Sequence, residues 1–381
     1  MYSYLALAWI YWDPNPEIFT IPLIDRAIRW YGLCFVIGFM LGYLIIADVF
    51  RKRLQNQQTL SYRDIINWPI LIKILQAYKT SSSPLVKSIH SRLDRKSRDI
   101  LGEMEIGQEP DNGLKASLLA SMNEVLNDPT APQIRSTFEA LFPKAIASAK
   151  EHGYLLADRL TWYVIAGTLI GARLGHVFFY EWPFYAANPI DIIKIWEGGL
   201  ASHGGALGVI LALFWFQIKV QKEFPEITFV SLLDMVSIPT ALTACFIRIG
   251  NFFNQEILGP ETEVPWGVVF GHPMDGTSPV PRHPSQLYEA AAYLITFCIL
   301  YKLWRKWGNQ LSVGMFSGLF FTFIFGSRFC IEFLKTPQSM FIDESFLQVG
   351  QYLSIPFIVF GLYLYNKGSK LDYLLLKRQR R

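Results

Sequence analysis

Seven stretches of about twenty mostly apolar residues punctuate this chain, and they leave it few folds to choose from. They run approximately over 28–50, 160–180, 199–218, 227–248, 285–304, 311–333 and 349–366. A helix of about 20 apolar residues crosses the roughly 30 Å hydrocarbon core of a bilayer. In lipid the backbone must satisfy its own hydrogen bonds, so stretches of this length and composition are helices. Composition agrees, because only 17% of residues are charged where a soluble domain carries roughly 25%. A mean hydropathy of +0.25 would also suit a soluble protein with a large core, so the blocked distribution decides. The expected fold is an all-α integral membrane protein with about seven transmembrane helices.

Loop charge orients those helices. Arg51, Lys52 and Arg53 follow the first block, Lys219 and Lys222 the third, Lys302, Arg305 and Lys306 end the fifth, and KRQRR closes the chain. The opposite loops are poorer, with only Lys194 in 183–200, only Arg282 in 251–286 and only Lys335 in 335–350. Basic residues concentrate in cytoplasmic loops, which puts the N-terminus outside and the C-terminus in the cytoplasm. The N-terminal MYSYLALAWIYWDPNP lacks a basic region and a small-residue cleavage site, so it does not read as a removable signal.

Three regions follow: 1–53, an outer segment with the first span; 54–151, a soluble helical insertion on the cytoplasmic side; and 152–381, spans two to seven with an outer segment at 251–286. The insertion has mixed charge, SSS at 81–83 and breaker clusters EPDNG at 109–113 and DPTAP at 128–132. Ser61 and Asp64 are spaced as a capping box. Ile65 to Tyr78 is too short for a span and is expected to be a packed or interfacial helix.

The formal charge of +4 is spread over short clusters beside apolar blocks, not over one face, so no nucleic-acid partner is expected. Cys34, Cys245, Cys298 and Cys330 lie inside apolar blocks without CxxC spacing, which suggests neither a disulfide framework nor a metal site.

Polar residues inside the blocks carry the functional signal, since a charge at mid-membrane costs about 2.5–3.5 kcal/mol. Arg173 and His176 lie in the second block, Asp234 and Arg248 in the fourth, and Arg328 and Glu332 in the sixth. Five polar runs fall at block ends that the topology gathers on one membrane face: Arg29, Trp30 and Tyr31; SHGG at 202–205; RIGNFFNQE at 248–256; RHPSQLYE at 282–289; and SRFCIEF at 327–333. Each admits a plainer reading. Arg29 and Trp30 suit interfacial anchors; His203 before Gly204 and Gly205 is either a helix-start turn or a place where a bulky ligand approaches an imidazole; Arg328 and Glu332, four apart, are spaced to neutralise each other. Arg248, Asn251 and Gln255 form one polar face if their helix continues. Gly38, Gly42, Gly167, Gly171 and Gly175 read as close helix packing.

The runs RWYG, SHGGALG, RIGNFFNQEILG, RHPSQLYEA and SRFCIEF, in this order, resemble the signature segments of the prolipoprotein diacylglyceryl transferase family. The resemblance covers nearly all of the chain outside the insertion. Two departures are Ile247, where the family usually has glycine before the signature arginine, and the insertion itself. The resemblance implies a bacterial inner-membrane enzyme whose partners are phosphatidylglycerol, a prolipoprotein with a lipobox cysteine, and the bilayer. Its reaction transfers the diacylglyceryl group to the cysteine thiol and releases glycerol 1-phosphate. By resemblance His203, Arg248, Arg328 and Tyr31 are the catalytic group, while Asn251, Glu256, Gly259, Glu332, Arg173, Gly204, Tyr288 and Glu289 are substrate-binding.

Such a substitution requires no redox centre, so neither cofactor nor metal is expected. A thiol of pKa about 8.5 benefits from a base, and a histidine, ordinarily titrating near 6.5, suits that task. Guanidinium groups grip phosphate in pairs of hydrogen bonds. These chemistries make His203 the natural candidate for the base, whether it takes the thiol proton itself or orients another group, and suit Arg248 and Arg328 to the phosphate. Asn251 and Tyr31 would orient the headgroup, and Glu256 and Glu332 would hold the arginines. A transporter or a non-catalytic binder of anionic phospholipid is the rival from another class. Against a transporter, the halves show no internal repeat and the polar residues favour one face over the midplane.

Overall fold

The computed structural model describes residues 9–22, 26–54, 66–77, 80–105, 108–126, 132–142, 149–195, 198–221, 224, 227–308, 313–336 and 347–379. Its elements begin with β1 (Ile10–Trp12), β2 (Glu17–Ile21), β3 (Arg26–Arg29) and α1 (Trp30–Arg53). Five short helices follow, α2 (Trp68–Gln76), α3 (Pro84–Arg92), α4 (Arg95–Glu103), α5 (Asn112–Leu126) and α6 (Pro132–Leu141). Then come α7 (Ala149–Phe179), α8 (Trp182–Ala187), a 3-10 turn over Pro189–Ile193, α9 (Ser202–Val220) and α10 (Phe229–Phe253). The chain continues through β4 (Val268–Phe270), β5 (Pro281–Arg282), α11 (Ser285–Trp307), α12 (Met315–Glu332) and α13 (Val349–Gln379). Two compact units result, one of Met1–Ile46, Ala166–Gln221 and Pro225–Arg381, the other of Ala47–Ile165 with Lys222–Phe224.

All seven apolar blocks fall on helices: α1, α7, α9, α10, α11, α12 and α13. Among the described residues, six helices are long and apolar enough to cross a membrane. The seventh, α13, begins at Val349 as the pattern predicts, but Gln351, Ser354 and Asn366 dilute its apolar run. In the first unit the burial pattern is inverted relative to a soluble bundle. Met40 is 63% and Val359 62% exposed, whereas Gln351, Ser317 and Glu289 are completely buried. Apolar groups outside and bonded polar groups inside are what lipid as solvent demands.

The glycine stripes pack as expected. A Cβ on Gly167 would stand 2.6 Å from the Gly208 carbonyl, one on Gly175 2.7 Å from Gly204 Cα, and Gly171 meets Gly204 and Gly208 equally closely. With no side chains between them, the backbones of α7 and α9 approach to contact. Gly204 is therefore occupied by helix packing, while Gly205 has only ordinary contacts. Gly38 faces Phe246, and its carbonyl accepts from the Thr243 hydroxyl at 3.0 Å, which holds α1 on α10.

Asp234, buried within a span and thus a functional suspect from sequence, serves the fold. One carboxylate oxygen accepts from the Ser317 amide at 2.8 Å and its hydroxyl at 2.7 Å, the other from the Gly314 amide at 2.6 Å. These amides head α12 and have no partner within the helix. Gly314 has φ +99, where L side chains are strained.

Among the described residues five short strands interrupt the helical pattern outside the spans. β1 pairs parallel with β4, with Ile10 opposite Val268, and β4 pairs antiparallel with β5. β2 and β3 form an antiparallel pair that runs straight into α1. Trp12, Phe252, Leu258, Val268 and Phe270 form a small core here.

The second unit has its own core of Leu71, Ile72, Leu75, Leu85, Ile89, Leu118, Met122 and Phe138. The short apolar segment near 65–78 is a packed helix, α2, with Trp68, Leu71, Ile72 and Leu75 buried. Its start is capped by Asn67, whose side-chain oxygen accepts from the Ile70 amide at 3.2 Å. The predicted cap at Ser61 and Asp64 lies outside the described residues. Asp94 caps α4 by accepting from the Ser97 amide at 2.8 Å, and it reaches the Ser117 hydroxyl of α5 at 3.0 Å.

The cap at Asp234 predicts a graded loss. Asp234→Ala strands two buried amides and a hydroxyl, at about 1–3 kcal/mol for each unsatisfied group, whereas Asp234→Asn keeps one acceptor. Thermal unfolding in detergent should show both variants lowered, Ala more than Asn. A wild-type midpoint for Asp234→Ala would contradict the assignment.

Candidate active site

Successive spans run in opposite directions, so the starts of α1, α9, α11 and α13 share one end with the finishes of α7, α10 and α12. The polar runs read from sequence lie there. Their centre is Glu289, on the first turns of α11 and completely buried. One oxygen lies 2.9 Å from Arg248 Nε. The other is 3.0 Å from Lys335 Nζ and 4.0 Å from an Arg328 guanidinium nitrogen, and it accepts from the Tyr293 hydroxyl at 3.2 Å. A lone carboxylate in such a place would be prohibitively desolvated; here three cations, from α10, α12 and the segment after α12, meet it.

Arg248 also donates through Nη1 to Asn251 Oδ1 at 3.0 Å, and Asn251 Nδ2 donates to Glu256 at 2.6 Å. Among the described residues these contacts engage Nε and Nη1 of Arg248 and leave Nη2 without a hydrogen bond. Glu332 pairs with Lys335 Nζ at 3.0 Å, and its carboxylate packs on Gly350 so closely that no Cβ fits there.

The chain leaves α10 through a strained turn. Gln255 and Ile257 both have positive φ, 52° and 58°, without being glycine. For a β-branched residue that is a costly conformation, and it persists only where the surroundings over-determine it. The surroundings are specific. The Glu256 amide donates to the Asn251 carbonyl at 3.1 Å, the Gln286 side chain donates to the Glu256 carbonyl at 2.7 Å, and the Ser285 hydroxyl to the Ile257 carbonyl at 2.8 Å. Gln255 itself turns outward. Its side chain donates to Asp13 at 3.1 Å and accepts from the His272 amide at 2.8 Å, while the His272 ring meets Asp13 at 2.7 Å. The His272 and Gln255 hydrogen bonds hold the Asp13 carboxyl below its ordinary value. Asp13 is therefore ionised at neutral pH, and the stability it contributes is lost as pH falls through that lowered value. It ties the N-terminal strands to the loop that aims Glu256.

The other expected residues take distinct places. Tyr31 lays its ring on Gly250, where a Cβ would come within 2.9 Å, close enough to Glu256 and Arg248 to feel both charges. His203, second residue of α9, is exposed and has no hydrogen-bond partner among the described residues; the structure does not bring it into contact with the arginine cluster. Gly259 sits beneath His283 and Leu334, where a Cβ would be 2.6 Å from His283 Cβ. The Tyr288 hydroxyl, at the start of α11, accepts from Trp266 Nε1 at 2.8 Å and lies 3.1 Å from His283 Nδ1. Arg173 is buried and donates to the carbonyls of Ile192, Gly198 and Gly199 at 2.8, 2.6 and 3.2 Å, so it holds the segment leading into α9. His176 lies under Gly199 and 3.4 Å from Glu181.

Three sequence expectations change. The carboxylate on the arginines is Glu289, not Glu256 or Glu332, which bond Asn251 and Lys335 instead. Arg328 and Glu332 make no ion pair with each other among the described residues, because Lys335 sits one turn beyond Glu332 and takes it. Gln255 leaves the polar face because α10 stops at Phe253. Sequence reasoning passed over Lys335, Tyr293, Ser285 and Gln286. Lys335 was counted only as a loop charge, although its spacing of three from Glu332 was a usable signal.

The family described as prolipoprotein diacylglyceryl transferase matches over residues 139–366. A phosphatidylglycerol–prolipoprotein diacylglyceryl transferase of Protochlamydia amoebophila is 48% identical over 358 residues, 94% of each chain. Enzymes of the same name from Tolumonas auensis and Chlamydia pneumoniae are 49% and 43% identical over 213 and 203 residues. Those matches cover 56% and 53% of this chain and 79% and 70% of the relatives. The family match begins at 139, leaving most of 54–151 outside it, whereas the Protochlamydia match is long enough to include most of that region. On the strength of the family match and of near-half identity along almost its whole length, this chain belongs to the prolipoprotein diacylglyceryl transferase family.

Proposed function

We propose that this chain transfers the diacylglyceryl group of phosphatidylglycerol to the lipobox cysteine of a prolipoprotein at the cluster of Arg248, Glu289 and Arg328. It is a multi-pass protein of the bacterial inner membrane, and the transfer is the first step of lipoprotein maturation. The cysteine sulfur attacks the glycerol carbon that carries the phosphate. A C–S bond forms, the C–O bond breaks, and glycerol 1-phosphate leaves with the bonding pair.

The single observation that carries this reading is the pair of guanidinium groups gathered by one buried carboxylate. The departing phosphate gains charge in the transition state, so cations already in place stabilise it more than the ground state. Glu289 holds Arg248 by Nε and leaves Nη2 for an oxygen of the phosphate. Asn251, Glu256 and Tyr31 then serve the headgroup hydroxyls. His203 takes the thiol proton, a role supported by its exposure and unengaged ring at the start of α9. Helix N-termini also favour a nearby thiolate over the thiol. Glu332 acts on the arginines through Lys335, and Arg173, Gly204 and Gly259 support the site by packing and loop support. Tyr288 serves the outer loop.

Loop charges support an outer N-terminus and a cytoplasmic C-terminus, with residues 54–151 an accessory cytoplasmic insertion and 152–381 the catalytic bundle. Cysteine at Gly276 should react with an impermeant thiol reagent on intact cells, and cysteine at Gly113 should not; labelling at Gly113 would invert the topology. Joining Gln55 to Gly153 through a flexible linker should leave transfer measurable in a correctly inserted variant, and complete loss would make the insertion essential.

The division of labour predicts different failures. His203→Gln should lower turnover by about 10²–10⁴ with phosphatidylglycerol binding retained, and should recover in part as pH rises and the thiol ionises unaided. Arg248→Ala and Arg328→Ala should lose both binding and turnover and gain nothing from alkali, with lysine an incomplete substitute. Transfer rate against pH, followed by mass spectrometry of the prolipoprotein, checks this. A wild-type rate for His203→Gln at neutral pH would remove it from the role of base.

A further inference from the structure

Lys335 follows α12, is 5% exposed, and places one ammonium between two buried carboxylates, Glu289 and Glu332, at 3.0 Å each. The groups that face these carboxylates come from every neighbouring element. Arg248 comes from α10, Tyr293 from α11 beside Glu289 itself, and Arg328 from α12 beside Glu332. Through Asn251 the network reaches Glu256, and Gly350 of α13 packs against Glu332. Without Lys335, two buried carboxylates would face two arginines.

We infer that Lys335 is a positioning residue that neutralises Glu289 and Glu332 so that Arg248 and Arg328 keep their charge for an anionic phosphate. The inference rests on the proposed phosphate role of the arginines. Its physical basis is competition. A guanidinium engaged by a carboxylate has less field and fewer donors to offer a phosphodiester, and a buried carboxylate that loses its own cation draws harder on those that remain. Lys335 suits this task because an ammonium is a compact point charge with three donors, able to serve two acceptors from one short approach. It acts through Glu289 and touches neither substrate.

The test uses the full-length protein in detergent with phosphatidylglycerol and a prolipoprotein peptide. Lys335→Met should lower kcat/KM by about tenfold or more, chiefly through weaker phosphatidylglycerol saturation, while Lys335→Arg should recover most of the loss. The Lys335→Met rate, divided by the wild-type rate at each pH, should rise as pH falls. A proton on one of the two carboxylates then does what the ammonium did, since like charges in one site raise the first protonation. A purely structural lysine would leave that ratio flat. If Lys335→Met unfolds, pairing it with Glu332→Gln removes the surplus carboxylate and should restore both folding and part of the activity. A wild-type rate for Lys335→Met, a flat ratio, or no gain from the paired substitution would overturn the inference. An inactive wild-type protein would instead overturn the proposed reaction.

Discussion

A carboxylate without access to water is stable only if its charge is met, and Glu289 is met from three directions. That requirement organises one end of the bundle. Arg248 on α10, Arg328 on α12 and Lys335 beyond it can satisfy Glu289 only if the three segments stop at compatible depths and turn matching faces inward. In return the arginines, which would be expensive in lipid on their own, acquire a reason to stay there. The carboxylate is thus a structural hub that fixes two guanidinium groups side by side.

Two further constraints make the hub possible. Backbone contact between α7 and α9 through Gly167, Gly171, Gly204 and Gly208 draws the start of α9 in close, and with it His203. The strained turn at Gln255–Ile257 stops α10 and redirects the chain, so that Glu256 falls back toward Asn251 in place of continuing the helix. That strain is balanced by Ser285 and Gln286 on one side and by the Asp13–His272 clasp on the other. Strain at a site held by contacts on all sides is a form of pre-organisation.

Much of this was legible in the residues. Lipid as solvent and the seven helices follow from the apolar blocks, because the length and composition of a span are set by bilayer thickness and not by neighbours. The glycine stripes were legible for the same local reason. The five polar runs lie at one end of the bundle, as the alternating direction of the spans predicts. Asp234 was misleading, since a buried acid that caps a helix and one that binds a ligand look alike until the amides of Gly314 and Ser317 are seen.

Pairing was not legible. Helical spacing suggested that Arg328 answers Glu332 and that Gln255 shares a face with Arg248, and neither contact forms. Glu289 was one carboxylate among several, and Lys335 only a loop charge. Sequence by itself determined the medium, the spans and the end of the bundle at which the polar runs lie, since those depend on local hydrophobicity and on the alternation of direction. Only the tertiary structure decided which carboxylate holds which cation, because an ion pair between α10 and α11 depends on depth, rotation and where α10 ends, and these are settled by packing and by one strained turn.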